Sequence, residues 1–235
     1  MLSKIPARRI FLKDYGWHVG SFHFSFADYH DPENICFGEL MTFNDFTLQP
    51  ASGFETHPHQ ELEIISYCVE GELTHEDNLG NKDLIQRGDM QYTCAGSGIT
   101  HSERNDSLDK PLRFIQIWVR PNAAGLPPHY HSCHFRQSDR LNKVQQIASG
   151  RSIENGTRIN QDMNIFVSEI QASRQLWFDQ LSERQVYLAC LEGALGVNNL
   201  ILNAGDALKT WEEPGLTLTA MEDVHLIMVE MPEIP

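Results

Sequence analysis

Two short histidine motifs contain the side chains of this sequence that are best suited to chemistry. His57 and His59 are separated by one residue, and so are His101 and Glu103. In a β-strand, side chains at this spacing point to the same face. Two such strands lying side by side would offer three imidazoles and one carboxylate to a single ion. That ligand set suits a divalent transition metal that keeps coordination positions open for a substrate.

The elements that must position these motifs are predicted to be strands. Short alternating or apolar runs, bounded by glycine, asparagine and proline, recur over residues 62–69, 90–94, 112–119, 164–170, 185–191, 206–211 and 224–231. This pattern is typical of an all-β sandwich or barrel. Helical spacing of apolar residues over 139–149 predicts one short helix. Residues 120–128, rich in proline and alanine, are predicted to be an extended linker.

An internal repeat divides the chain into two unequal copies. The segment Val69–Leu73 is echoed by Leu191–Leu195, and Leu84–Asp89 is echoed by Leu202–Asp206. If the repeat keeps its register, the four candidate ligands correspond in order to Asp179, Leu181, Leu218 and Ala220, of which only the aspartate binds metals. We therefore predict a metal-binding domain over residues 1–125 and a domain without a metal site over residues 126–235.

Composition restricts the class of protein. A chain of 235 residues with 41% hydrophobic and 21% charged residues is ordinary for a soluble globular protein. The net charge of -14 argues against direct binding to nucleic acid. The absence of any run of 18 apolar residues argues against a membrane span. The amino-terminal sequence does not resemble a secretion signal, and five cysteines without a CxxC pair suit reduced thiols, so a cytoplasmic location is expected.

The wording of the motifs resembles one family. The sequence H-P-H at 57–59, followed by A-G-S-G-I-T-H-S-E at 95–103, is similar to the two motifs of a cupin and specifically to those of the pirins. The stretch Trp17–Pro32 further resembles bacterial pirin-like quercetin 2,3-dioxygenases. This resemblance implies a bicupin, in which two antiparallel β-barrel (jelly-roll) domains lie face to face with a short linking helix. It also implies that only the amino-terminal barrel binds a metal.

The resemblance further implies a ligand set and an activity. The family's metal ligands correspond to His57, His59, His101 and Glu103, and the expected metal is Fe²⁺, with Mn, Ni, Cu and Zn as alternatives at the same site. The implied reaction is the opening of the central ring of flavonols such as quercetin with dioxygen. Other members of the family resemble non-catalytic, metal-bound regulators that bind a transcription factor or a metabolic enzyme.

Glu63 is the competing carboxylate. It follows His59 with three residues between them, which is where many cupins take their carboxylate ligand, and strand alternation allows it to face inward. Glu103 is favoured as the ligand because it shares a strand face with His101. Glu103 is accordingly the first candidate for the catalytic base and Glu63 the second. If Glu103 is the ligand, Glu63 either orients one of the metal-binding imidazoles by a hydrogen bond or lies exposed on its strand.

Two further groups of residues allow two interpretations each. The first group, His129, His131 and His134, is either a second metal site or part of a solvated linker. The second is the aromatic stretch Trp17, Phe22, Phe24, Phe26 and Tyr29, which lines a pocket for a planar substrate or packs on the core.

Overall fold

The computed structural model describes residues 1–180 and 183–233, and in them nearly all regular structure is β-strand. This confirms the predicted all-β class, and each run predicted as a strand overlaps one. The strands in chain order are β1 (Leu2–Ile5), β2 (Phe11–Asp14), β3 (His18–Phe22), β4 (Leu40–Leu48), β5 (Ser52–His59), β6 (Glu63–Glu70), β7 (Glu72–Asp77), β8 (Lys82–Gln86), β9 (Met90–Cys94), β10 (Ile99–Asn105), β11 (Leu112–Val119), β12 (His129–Cys133), β13 (Gln145–Ser149), β14 (Thr157–Arg158), β15 (Asn164–Ile170), β16 (Gln175–Asp179), β17 (Arg184–Glu192), β18 (Ala194–Val197), β19 (Leu200–Asn203), β20 (Ala207–Thr210), β21 (Gly215–Ala220) and β22 (Val224–Pro232). A 3₁₀ turn (Ala7–Arg9) and an α-helix, α1 (Gln137–Arg140), complete the regular elements of this part of the chain.

The chain folds into two compact units. The amino-terminal unit comprises Phe11–Phe135 and Ile159–Gln161, and the carboxy-terminal unit comprises Met1–Ile10, Arg136–Arg158 and the described residues of Asp162–Pro235. This division differs from the predicted boundary at residue 125. Strand β1 pairs with β20 and so belongs to the carboxy-terminal unit, whereas β12 pairs with β9 in the amino-terminal unit. Edge strands can join a sheet from any distance along the chain, which is why a sequence boundary misplaces them.

The amino-terminal unit is built from two antiparallel sheets. One has seven strands in the order β12-β9-β6-β11-β4-β3-β2, and the other has four in the order β5-β10-β7-β8. Between the sheets lies a cluster of buried apolar side chains from both, comprising Phe22, Phe46, Leu48, Cys68, Leu73, Ile85, Leu112 and Phe114. Since side chains alternate along each strand, one face of each sheet supplies this core. The same inward faces carry the histidine motifs.

The carboxy-terminal unit repeats this plan. Its seven-stranded sheet has the order β1-β20-β17-β22-β15-β13-β14, and its four-stranded sheet the order β16-β21-β18-β19. Its core is a separate cluster of leucine, valine and other apolar side chains. All strand pairs of this unit are antiparallel among the described residues except the short pair β13 and β14.

The internal repeat predicted from the sequence is confirmed by matching hydrogen bonds. The amide of Cys68 donates to the carbonyl oxygen of Asp89 at 3.0 Å, and that of Cys190 donates to Asp206 at 3.0 Å. The E-G turn of each copy places its glycine at positive φ, with φ of 79° at Gly71. A Cβ at Gly71 would lie 2.4 Å from the carbonyl oxygen of Pro111, so only glycine fits there.

The predicted helix over 139–149 is wrong for most of its length. Helix α1 ends at Arg140, and Gln145–Ser149 forms strand β13 instead. The register of β13 shifts between Gln146 and Ala148, so the consecutive residues Ile147 and Ala148 are both fully buried. A β-bulge of this kind interrupts the two-residue alternation of a strand and produces the spacing that resembles a helix.

The cysteines of the chain form no disulfide bond. All five cysteines are free thiols, as expected from their odd number. Cys68, Cys94 and Cys190 are buried, whereas Cys36 is exposed. Across residues 1–180 and 183–233, no helix has both the length and the apolar character needed to cross a membrane.

Candidate metal centre

The two histidine motifs lie on neighbouring antiparallel strands of the four-stranded sheet. His57 and His59 are near the end of β5, and His101 is in β10, where it pairs directly with His57. His59 pairs with Ile99, which lies two residues before His101 and so on the same face of β10. The predicted arrangement, in which equal spacing on two adjacent strands points all three rings to one face, is therefore confirmed for the histidines.

The three imidazoles converge. One nitrogen of each ring lies within 4.8 Å of the corresponding nitrogens of the other two, and the three ring centroids are 4.7–4.9 Å apart. Among the described residues, these three form the one such group of histidine, cysteine, aspartate or glutamate side chains. Two of the rings are half-buried, and His101 is completely buried.

Protonation and hydrogen bonding leave these rings suited to a metal. The Nδ1 of His57 lies 2.7 Å from the carbonyl oxygen of Glu55. Since a carbonyl oxygen only accepts, Nδ1 carries the hydrogen and Nε2 keeps its lone pair. Burial and the neighbouring histidines lower the pKa of His59 to about 4. Burial, together with His57 and His75, lowers the pKa of His101 to about 3. The rings of His59 and His101 are therefore neutral near pH 7, as metal coordination requires.

Several buried nitrogens of the cluster have no hydrogen-bond partner within the described part of the chain. These are Nε2 of His59 and both ring nitrogens of His101. Buried polar atoms normally have a partner because leaving one unsatisfied costs about 1–3 kcal/mol. A divalent cation would satisfy one nitrogen of each ring. The residues present thus fit a bound transition metal.

Glu103 is held close to this cluster by three neutral donors. Its Oε1 accepts hydrogen bonds from Ser66 Oγ at 2.6 Å and Gln91 Nε2 at 2.8 Å. Its Oε2 accepts one from Gln116 Nε2 at 2.5 Å. The carboxylate is completely buried and is not part of the group whose ligand atoms lie within 4.8 Å of one another. The structure therefore brings together three of the four predicted ligands and places the fourth in a separate, ordered hydrogen-bond network.

Glu63 lies on the other face of its strand. In β6, Ser66 points inward to Glu103, so alternation directs the side chain of Glu63 away from the histidines. Its carboxylate accepts hydrogen bonds from Tyr92 Oη at 2.5 Å, from the amide of Asn160 at 2.6 Å and from the amide of Gln161 at 2.9 Å. The expectation that alternation turns Glu63 inward is wrong, because its parity matches Ile65 and not Ser66. Its position does not suit a metal ligand or a base at the cluster.

A cavity of about 460 Å³ opens beside the histidines. It is lined by Trp17, Phe26, Phe46, Gly53, Phe54, Glu55, His57, His59, Gln116 and Trp118. Five of these side chains are aromatic, and the few polar groups are concentrated at the histidines, Gln116 and Glu55. Ligand sites are typically concave, mostly apolar and furnished with a few convergent polar groups. The cavity therefore suits a planar aromatic ligand whose polar edge faces the imidazoles.

Some aromatic residues of the stretch 17–29 line the cavity and others pack in the core. Trp17 and Phe26 line the cavity. Phe22 and Phe24 are buried in the core, and Tyr29 stacks on Phe11 with ring centroids 4.7 Å apart. Phe46, Phe54 and Trp118, which sequence reasoning did not single out, supply the rest of the aromatic wall.

The second histidine group is exposed, as the solvated interpretation predicted, but the prediction of a linker is wrong. Residues 129–133 form strand β12, whose register with β9 pairs His131 with Tyr92 and Tyr130 with Thr93. Alternation therefore turns His129 and His131 away from the cluster, whereas Tyr130 points toward it. His134 Nδ1 lies 2.9 Å from Asp89 Oδ2, a carboxylate partner that the sequence did not reveal.

The second copy presents apolar side chains at the corresponding strand positions. Pairing in β21 aligns Leu216 with Phe178 and Leu218 with Leu176, which matches the pairing of His101 with His57 and of Glu103 with Phe54. The predicted correspondence is therefore displaced by two residues along β21 and by one along β16, because loop lengths differ between the copies. Leu216 and Leu218 occupy the places of His101 and Glu103. Of the positions predicted earlier, Asp179 and Ala220 fall elsewhere in the pairing, and Leu181 lies outside the described residues.

Comparison with known proteins agrees with this geometry. The chain matches the family model for pirin over residues 5–119 and that for the quercetinase C-terminal cupin domain over residues 146–231. It is 37% identical to a pirin-like protein of Caulobacter vibrioides, covering 98% of this chain and 99% of that protein. It is 32% identical to a quercetin 2,3-dioxygenase of Escherichia coli K12, covering 94% of each. The bacterial pirin YhhW of Escherichia coli in complex with nickel(II) superimposes with a TM-score of 0.93 at 29% identity, covering 100% of both chains.

Proposed function

The chain belongs to the pirin family, and on that premise we propose that it is a metal-dependent dioxygenase that opens the central ring of flavonols such as quercetin. The observation that carries this proposal is the convergence of three imidazoles, two of which, His57 and His59, line an aromatic cavity. The similarity to a protein named quercetin 2,3-dioxygenase supports the reaction class. Together these features supply the donor atoms for a metal and a cavity for a planar ring.

His57, His59 and His101 would hold the metal, and Glu103, which lies beside them in its own hydrogen-bond network, would be the fourth ligand. Fe²⁺ is the expected ion, with Mn, Ni, Cu and Zn able to use the same donors, because imidazole binds most of these metals. The structure of the related Escherichia coli pirin in complex with nickel(II) supports a divalent ion as the metal. When bound, such an ion acts as a Lewis acid that lowers the pKa of a substrate hydroxyl.

The cavity wall orients the substrate. The rings of Phe26 and Trp118 meet edge to face with centroids 5.1 Å apart, and Trp118 meets His59 at 5.0 Å. A flat, apolar ring system packs against this wall, with the 3-hydroxyl and the neighbouring carbonyl oxygen of a flavonol toward the histidines. The same aromatic lining limits access of water to the reacting edge.

Glu103 is the proposed proton acceptor. Its Oε1 already accepts two hydrogen bonds, whereas Oε2 accepts only the one from Gln116. The less saturated Oε2 is therefore the oxygen available for the proton of the 3-hydroxyl. A positioned general base typically contributes about 10²–10⁴-fold to the rate. The flavonolate then combines with dioxygen, and the central ring opens to a carboxylate ester with release of one carbon monoxide.

We also propose a cytoplasmic location. All five cysteines are free, and Cys36 is exposed, which suits a reducing compartment.

Oxygen uptake by the metal-loaded protein tests the function. Wild type loaded anaerobically with Fe²⁺ and mixed with quercetin is expected to consume one dioxygen for each carbon monoxide released. His101→Ala, treated in the same way, should do neither. If the loaded wild type consumes no oxygen with quercetin or close relatives, the enzymatic proposal fails, and the metal-bound regulator that binds a protein partner replaces it.

A further inference from the structure

Tyr130 lies on the inward face of strand β12, at the edge of the seven-stranded sheet. Residues 129–133 fall outside the part of the chain that matches the pirin family model. Tyr130 is half-buried, and its neighbours on the outward face, His129 and His131, are exposed. The strand thus presents one aromatic side chain to the interior and a histidine-bearing surface to solvent.

The first connection from Tyr130 to the metal centre runs through an amide. The hydroxyl of Tyr130 lies 3.3 Å from Gln91 Oε1 and 3.5 Å from Asp83 Oδ2, so Gln91 is the nearer acceptor. The other end of that amide, Gln91 Nε2, donates to Glu103 Oε1 at 2.8 Å. A carboxylate oxygen only accepts, so Nε2 must face Glu103 and Oε1 must face Tyr130. The tyrosine hydroxyl therefore holds the amide in the orientation that supports Glu103.

The second connection runs through a stacked imidazole. The ring of Tyr130 lies on that of His75 with centroids 4.1 Å apart and planes inclined by 15°. His75 is completely buried, and its Nε2 lies 3.1 Å from Asp77 Oδ2. The His75 ring is in turn 5.3 Å from that of His101, and Asp77 pairs directly with His101 across the strands. Tyr130 therefore packs on the side chain whose ring contacts His101 from behind.

We infer that Tyr130 is a positioning residue of the metal centre, acting through Gln91 on Glu103 and through His75 on His101. This inference deepens the proposed function and rests on its metal site, but it requires neither a flavonol nor dioxygen. Groups that orient metal ligands typically change metal affinity by about 10–100-fold when they are removed. Because linkage is reciprocal, a metal that binds better when Tyr130 is in place must also stabilise strand β12.

Tyr130→Phe is the appropriate variant because it keeps the stacked ring and removes only the hydroxyl. We expect its dissociation constant for nickel(II), measured by chelator competition, to rise about tenfold. Tyr92→Phe is the matched control, since Tyr92 lies on the outward face of β9 and donates to Glu63. It should lower the melting temperature of the metal-free protein without changing nickel(II) affinity.

Hydrogen exchange distinguishes a positioning role of Tyr130 from a merely structural one, because only the former makes the protection of strand β12 depend on the metal. In wild type, nickel(II) should slow exchange of the backbone amides of His129–Cys133, and in Tyr130→Phe this added protection should be largely lost. Equal nickel(II) affinity in wild type and Tyr130→Phe would overturn the inference, as would equal losses in both tyrosine variants. A wild type that binds nickel(II) but consumes no oxygen would overturn the proposed reaction alone.

Discussion

Two glutamates of the amino-terminal unit are completely buried, but their side chains point in opposite directions and have different partners. Glu103 points inward and accepts hydrogen bonds from three neutral side chains beside the histidine cluster. Glu63 points outward and accepts hydrogen bonds from Tyr92 and from the backbone of residues 160 and 161. The side chain of Glu103 lies beside the histidines and would be available for chemistry there, whereas Glu63 anchors the segment of residues 160 and 161 to strand β6.

Glu103→Gln tests the proposed role in catalysis. The amide keeps the size of the side chain and a weak ligand oxygen but cannot accept a proton. We expect the variant to retain much of its metal while kcat falls about 10²–10⁴-fold, because the lost interaction is one made in the transition state. Elemental analysis and steady-state oxygen uptake measure the two quantities. Retention of wild-type kcat would exclude Glu103 as the base.

Glu63→Gln should separate anchoring from chemistry. Its amide nitrogen cannot accept, so at least one of the backbone amides of Asn160 and Gln161 loses its partner. The free energy of unfolding should fall by about 1–3 kcal/mol, as measured by urea denaturation, while metal content stays at the wild-type value. Loss of bound metal in a folded Glu63→Gln protein would show that Glu63 belongs to the metal centre after all.

The sequence predicted the three histidines because their spacing on strands has a single geometric meaning. It did not predict the donors to Glu103, although they carried a signal. Ser66, Gln91 and Gln116 are buried polar residues within mostly apolar strand runs, and each is at an inward position. Which carboxylate they serve depends on pairing between strands that are distant in sequence, and that pairing cannot be read from local pattern.

At the scale of elements, a row of polar side chains crosses the inner face of the seven-stranded sheet. Gln91 pairs with Ser66, Ser66 with Gln116, and Gln116 with Asn44. The first three donate to Glu103, whereas Asn44 is fully buried with no hydrogen-bond partner for its Oδ1 or Nδ2 within the described part of the chain. The row therefore contains one amide that weakens the fold.

Asn44→Leu should stabilise the protein. Replacing an unpaired buried amide by an apolar side chain of similar size removes an unsatisfied donor and acceptor, and we expect a gain of about 1 kcal/mol in the free energy of unfolding. Asn105→Leu is the matched control, since Asn105 is equally buried but donates to Lys110 O at 2.8 Å. It should destabilise the fold. A loss of stability in both variants, measured by urea denaturation, would mean that Asn44 has a partner in solution.

Strand β13 shows why one element was mispredicted. Its bulge buries Ile147 and Ala148 in succession, and with Val144 they mimic the spacing of a helical face. Local periodicity cannot distinguish a bulged strand from a short helix. The strand is fixed by its pairing with β15, which lies later in the chain.

At the scale of the whole molecule, buried neutral histidines predict a dependence of stability on pH. Burial lowers the pKa of His23 to about 3, well below the value of 6.5 of an exposed histidine. Between these two values the unfolded chain binds more protons than the folded one, so stability rises with pH and is lost as pH falls from 7 toward 4. Each such group contributes a slope of up to about 1.4 kcal/mol per pH unit.

His23→Phe should reduce this slope. The ring of His23 already packs against Phe43, with centroids 4.7 Å apart, so an apolar ring suits the site. Urea denaturation of the metal-free protein at pH 7 and pH 5.5 measures the difference. An unchanged slope in the variant would show that His23 does not titrate below its unfolded value.

The two copies of the repeat show that framework and function are specified separately. Both keep the E-G turn, the buried cysteine and the G-D turn, with matching hydrogen bonds. The inward residues at the metal cluster differ, with Leu216 and Leu218 in place of His101 and Glu103 and Phe178 in place of His57. The sequence predicted the repeat well because turns require particular residues. It misplaced the register by two residues along β21 and by one along β16 because loop lengths vary freely.

Metal content per chain tests the central claim most directly, because every step of the proposed chemistry depends on three imidazoles sharing one ion. Wild type saturated with nickel(II) and freed of excess ion should contain one metal per chain by elemental analysis. His101→Ala should contain almost no metal. The control is that the metal-free variant melts within a few degrees of the metal-free wild type. A wild type without bound metal, or a His101→Ala protein that retains a full equivalent, would contradict the assignment of His57, His59 and His101 as the metal centre.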